Sequence, residues 1–118
     1  MPTPQEHRSQ AEQNEFFVSQ LDNPFWDWAV TGTFYEALHY VDAFLKTKGI
    51  DPPRHADRNN EVEKDATLSK VWMEYKQLYD DSKLARYECH RFDRDEVRLL
   101  RDNYLNPIKD LLKPLIPR

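Results

Sequence analysis

A chain of 118 residues is long enough for one domain that buries roughly two thirds of its unfolded surface without covalent staples. Hydrophobic content of 39%, charged content of 32%, a mean hydropathy of -0.91 and two glycines against three Trp, six Tyr and six Phe argue against a disordered or membrane-embedded chain. The single Cys89 excludes a disulfide framework and a self-sufficient zinc site. The opening MPTPQEHRSQ has no apolar signal core, so a cytoplasmic location is expected.

In chain order, Gln5 to Leu21 turns from polar to apolar at Phe16, Phe17, Val18 and Leu21. This predicts a first helix packed only at its far end, with residues 1–10 prone to fray. Asn23 followed by Pro24 is a helix-start signature, since a cap side chain is followed by a residue whose missing N–H costs nothing in the first turn. The helix it opens, through WDWAVTGTFYEALHYVDAFLKTKG, is central. Val30, Phe34, Ala37, Leu38, Val41, Phe44 and Leu45 form its core stripe. Trp28, Tyr35, His39 and Asp42 form a second, aromatic and hydrogen-bonding face, which suits contact with several neighbours or a second copy of the chain. Gly49 closes the helix as a left-handed residue.

Ile50 to Arg58 carries two prolines and is expected to be the one ordered, irregular loop. Asn60 with Glu63 predicts a capping box opening a short polar helix. A clearer third stripe runs through Leu68, Val71, Trp72, Tyr75, Leu78, Tyr79, Ser82 and Ala85. Asp93 with Glu96 predicts another capping box, followed by Val97, Leu100, Tyr104, Ile108, Leu111 and Leu115. Pro107 should kink or restart this last helix, because its ring removes a hydrogen bond and crowds the carbonyl four residues back. With no alternating strand pattern, the expectation is all-α: a single domain built as an up-and-down bundle of four main helices with a kinked C-terminal helix.

The chemistry-bearing residues are few. Gly-rich phosphate loops, CxxC, HExxH and GxSxG are absent, and no two of His7, His39, His55 and His90 have the i, i+4 spacing of a helical metal site. No metal and no cofactor are expected. What stands out is polar residues at positions the pattern reserves for apolar ones. His39 has Tyr35 and Asp42 a turn away on either side to fix its tautomer, or is a packed, satisfied histidine. Arg86 continues the third stripe with His90 four residues on, and needs a carboxylate, a phosphate or water; Asp42 and Glu36 are structural partners to consider.

The loop adds Arg54, His55, Arg58 and Asn59. Arg94, Arg98 and Arg101, extended back by Arg91, form a basic row on the last helix. From Arg86 onward there are eight Lys or Arg and six acids, so a chain of net charge -4 still concentrates cations at one end. Such a row suits a phosphate backbone, or is a solvated face paired with Asp95, Glu96 and Asp102.

The run DWAVTGTFYEALHYVDAFLKTKGIDPPRHADRNN, followed by YKQLYDDSKLARYECHRF, resembles small prokaryotic HEPN-like proteins, related to the higher eukaryote and prokaryote nucleotide-binding domain; the likeness spans about residues 24–112. It implies an all-α bundle acting as a homodimer. It also implies an RNA- or nucleotide-binding protein, many relatives being metal-independent endoribonucleases or toxins of defence and toxin–antitoxin systems. In that family an Arg precedes a His by four to six intervening residues. Here Arg86 and His90 have only three between them, and Arg54 directly precedes His55. Either the site is rebuilt from His39, His55, Arg58 and Arg86, or the fold serves only for binding. In the latter case the chain is a non-catalytic interaction module or a partner subunit for a cognate protein.

Overall fold

The computed structural model describes residues 2–20, 25–88 and 90–117. All regular structure among them is helical: α1 Pro4–Gln20, α2 Trp26–Thr47, α3 His55–Lys64, α4 Trp72–Tyr87, α5 Arg94–Leu100 and α6 Asn106–Leu112. A 3-10 turn at Leu68–Val71 leads into α4, and a π turn at Arg101–Leu105 joins α5 to α6. Among the described residues no helix is long and apolar enough to cross a membrane.

Helix α2 is the hub, packing most extensively on α1, then on α4, and also on α5, α6 and the π turn between them. Every residue of its expected core stripe is buried, from Val30 to Leu45. Its C-terminus is a Schellman motif. Gly49 adopts φ +74°, and the Gly49 and Ile50 amides donate to the Lys46 and Leu45 carbonyls. The expected start at Asn23 and Pro24 lies outside the described residues, as does Cys89.

Several expectations need correction. Helix α1 is buried at His7, Ala11 and Val18, so its beginning is packed, whereas Phe16 and Phe17, expected to pack its far end, are exposed. Thr3 and Glu6 exchange backbone-to-side-chain hydrogen bonds of 3.0 and 3.1 Å that anchor its first turn. The irregular loop stops at Arg54, and His55–Arg58 form the first turn of α3, so Asn60 lies inside a helix and caps nothing. The Asp93–Glu96 capping box forms as expected.

Beyond it, the π turn adds one residue per turn ahead of Pro107, releasing a carbonyl that a proline cannot serve. That extra residue shifts the buried stripe. Downstream of Leu100 the core residues are Leu105, Ile108, Leu112 and Ile116, whereas Tyr104 and Leu111 are only half-buried and Leu115 is exposed.

Candidate functional site

Three of the four candidate catalytic residues meet on one side of α2. Arg58, presented by the first turn of α3, grips Asp42 with two bonds, Nε to Oδ1 at 2.7 Å and Nη2 to Oδ2 at 3.0 Å. Both groups are nearly buried, at 11% and 8% side-chain exposure, so each carries the other's desolvation. His55, one turn earlier, places Nδ1 3.5 Å from the Arg58 Nη1. Its ring packs 5.8 Å from Phe34 and 5.7 Å from Tyr79, centroid to centroid.

Arg86 approaches the same aromatic floor from α4. Its guanidinium carbon sits 5.9 Å from the Phe34 ring centre and 5.4 Å from that of Tyr35, while Nη1 donates to the Tyr35 hydroxyl at 2.8 Å. Nε and Nη2 donate back to the Ser82 carbonyl and hydroxyl, both at 3.2 Å. Burial lowers the pKa of His55 below its ordinary value, with the positive charges of Arg58 and Arg86 acting in the same direction and Asp42 opposing them. A half-buried, neutral imidazole between two guanidiniums can accept a proton. It can do so beside the cationic side chain of Arg86.

His39 has a different partner. Its Nδ1 faces the Nδ1 of His7 in α1 at 3.0 Å, so neither Asp42 nor Tyr35 fixes its tautomer; those groups hold Arg58 and Arg86. Burial, reinforced by His7, pushes the His39 pKa down to about 4. His90 also departs from the expected geometry. Helix α4 ends at Tyr87, so it does not carry His90, whose ring meets Phe92 edge to face at 4.6 Å.

The basic residues disperse. Arg54 is exposed and pairs with Asp57 at 2.9 Å. Asn59 is half-buried, and its Oδ1 has no hydrogen-bond partner among the described residues. Arg91, Arg94 and Arg98 are exposed; Arg94 and Arg98 border a cavity of about 390 Å³ with Glu15, Trp26 and Asp102.

Arg101 folds inward, bonding Thr33 Oγ1 at 2.9 Å and lying 3.1 Å from Glu36 Oε2. Thr33 and Tyr35 are about 200° apart around a helix of 3.6 residues per turn. Arg101 and Arg86 therefore reach opposite sides of α2, and the basic row does not extend the His55 site.

Sequence reading gave Glu36 no role of its own. It is fully buried in the middle of α2, and its pKa rises to about 7 because burial outweighs the attraction of Arg101. The available signal was the polar series Thr33, Glu36 and Tyr40, spaced three and four residues apart within an otherwise apolar helix. Tyr79, visible as a stripe residue, and Tyr35, visible on the aromatic face of α2 and as a partner for His39, instead frame His55 and Arg86.

No protein-family model matches the chain, and no curated protein or solved structure matches it. Function rests on the geometry.

Proposed function

We propose that this chain is a HEPN-like bundle of four main helices that binds RNA, or a nucleotide, through the His55–Arg86 site and cleaves RNA without a metal. The observation that carries this reading is the neutral His55 ring set on an aromatic floor between Arg58 and Arg86. In the reaction, His55 takes the proton of a ribose 2′-hydroxyl as its oxygen attacks phosphorus; the P–O5′ bond breaks, the 5′-oxygen takes a proton from water, and a 2′,3′-cyclic phosphate remains. Arg86 stabilises the charge that gathers on the phosphorane. Arg58, held by Asp42, keeps His55 deprotonated. A second copy of the chain would pack against the exposed aromatics Phe25 and Trp28 to form a homodimer.

The test is RNA cleavage by the purified protein in EDTA, beside His55→Ala and Arg86→Ala variants that keep the wild-type circular dichroism. Loss of the proton-transfer group should lower the rate at least ~100-fold. Because the His55 pKa is depressed, the rate should climb with pH through a value below the ordinary 6.5 and then level off. A midpoint above 6.5, or cleavage that survives in His55→Ala, would refute the assignment.

A second reading is favoured by the way Arg86 is already occupied by Tyr35, Ser82 and two aromatic rings. In it the cluster is structural and the chain is a non-catalytic interaction module or partner subunit. Growth on expression separates the two readings: a ribonuclease toxin arrests cells, and an interaction module does not.

A further inference from the structure

Where α4 gives way to α5, the chain lines an open cavity of about 360 Å³ that shares no lining residue with the His55 cluster. That volume lies within the range of ligand pockets. Leu84 from the last turn of α4, Phe92 from the connection, and Leu99 and Leu100 from the end of α5 give it an apolar surface. Leu100 belongs to the core, whereas Leu99 is 52% exposed, so this apolar surface runs from the core out to solvent.

Three carboxylates stand on the same lining, Asp81 on α4 and Asp95 and Glu96 on α5, and among the described residues no Lys or Arg joins them. Arg94 and Arg98, close to these acids in sequence, border the cavity with Glu15 and Trp26 instead. Asp81 Oδ2 accepts from the neutral Gln77 amide at 3.1 Å, and Glu96 Oε1 accepts from the Asp93 backbone amide at 3.0 Å. Burial raises the Asp81 pKa, Gln77 and His90 lower it, and Asp80 and Glu96 push it up again. Negative charge is therefore in excess here, and a cation entering the cavity relieves the repulsion.

The kind of cation follows from the rest of the lining. Among the described residues no group of three His, Cys, Asp or Glu is placed to hold a metal ion. An inorganic cation would also gain nothing from Leu84, Phe92 and Leu99. An arginine side chain uses both parts of the site, because its methylenes lie along apolar surface while its planar guanidinium donates to more than one carboxylate. The acidic net charge of -4 favours the approach of a basic partner.

We propose that this cleft is a docking site for a partner protein, which inserts an exposed arginine between Asp81 and Glu96 and lays the neighbouring apolar side chain on Leu99 and Phe92. The site is independent of the RNA reading, and its occupant is a basic and apolar segment of a different chain.

The experiment titrates the intact, isotope-labelled protein with the synthetic peptide acetyl-Arg-Leu-Leu-Arg-amide and follows backbone amide shifts by NMR. The expected shifts cluster at Asp81, Leu84, Glu96 and Leu99, and the peptide should bind at least about fivefold more tightly than acetyl-Arg-Ser-Ser-Arg-amide, acetyl-Glu-Leu-Leu-Glu-amide or free arginine amide. Asp81→Asn and Leu99→Ser, both at solvent-accessible positions, should each weaken binding about fivefold, while His55→Ala should leave it unchanged. The proposal is overturned if no shifts appear at the cleft, if the acidic or serine peptide binds as well, or if Leu99→Ser binds as tightly as wild type. Equal binding of free arginine amide would make the cleft a small-cation site and overturn the partner assignment. Shifts at the same residues that grow with protein concentration alone would give the cleft to a second copy of the chain and overturn it likewise.

Discussion

Glu36 shows how one buried side chain can set a pH dependence for the whole fold. It is a carboxyl with no exposure, and its nearest cation, Arg101, lies 3.1 Å away without an aligned hydrogen bond. Its pKa stands at about 7 against an ordinary 4.5, so between those values the folded state keeps a proton that the unfolded state releases. The contribution of Glu36 to stability is therefore complete below about pH 4.5 and lost as pH rises through 7.

Glu36→Gln preserves the shape and removes the titration. Relative to wild type, the variant should gain on the order of 2 kcal/mol as pH goes from 4.5 to 7, and nothing further above that. Urea unfolding of both proteins at pH 4, 5.5, 7 and 8 measures this difference directly. A difference that stays constant with pH would show that Glu36 titrates at the same pH in the folded and unfolded states.

At the scale of elements, what could be read in the sequence was what depends on local chemistry. The α2 core stripe, the left-handed Gly49 and the Asp93–Glu96 box follow from periodicity and capping, and all three are present. The misses have two other causes, a distant partner and a local change of helical period. Helix α3 begins at His55 because Arg58 is held by Asp42, a pairing 16 residues away in sequence. The buried stripe after Leu100 changes phase because a π turn is inserted ahead of Pro107, and a count made at a fixed period runs past it. Of the site, Arg86 was identifiable as a polar interruption of a stripe and His55 and Arg58 as donors of the loop, but the partner each would choose was not.

The α1–α2 contact depends equally on a distant approach. A Cβ built on Gly32 would stand 2.7 Å from the Val18 Cγ2 of α1, closer than carbon atoms tolerate. Gly32→Ala gains up to ~1 kcal/mol of helix propensity but overpacks a stiff β-branched neighbour, at a cost of about 1–3 kcal/mol. The single variant should therefore be destabilised by about 1 kcal/mol, and adding Val18→Ala should recover much of that loss. If the double variant shows the sum of the two single effects, the helices do not meet at Gly32.

Across the whole molecule, α2 separates two sets of cations that a linear reading would join. Arg86 and Arg58 reach the Tyr35–Asp42 side, Arg101 reaches the Thr33–Glu36 side, and Arg94 and Arg98 border a cavity on the Arg101 side. A strand bound at His55 thus meets one or two guanidiniums, one of them already neutralised by Asp42, on a chain whose net charge is -4. For single strands each neutralised phosphate contributes about -0.7 to the slope of log K against log salt, so the proposed site predicts a slope of roughly -1. Engagement of Arg91, Arg94 and Arg98 as well would steepen it to about -3. Fluorescence anisotropy of a labelled RNA oligomer across a salt series gives this slope. Arg86→Gln should flatten it by about 0.7, and an Arg94→Gln, Arg98→Gln double variant should leave slope and affinity within about twofold of wild type. A tenfold weakening in the double variant would instead put the RNA on the α5 side of the helix hub, with the His55 cluster left as part of the packing.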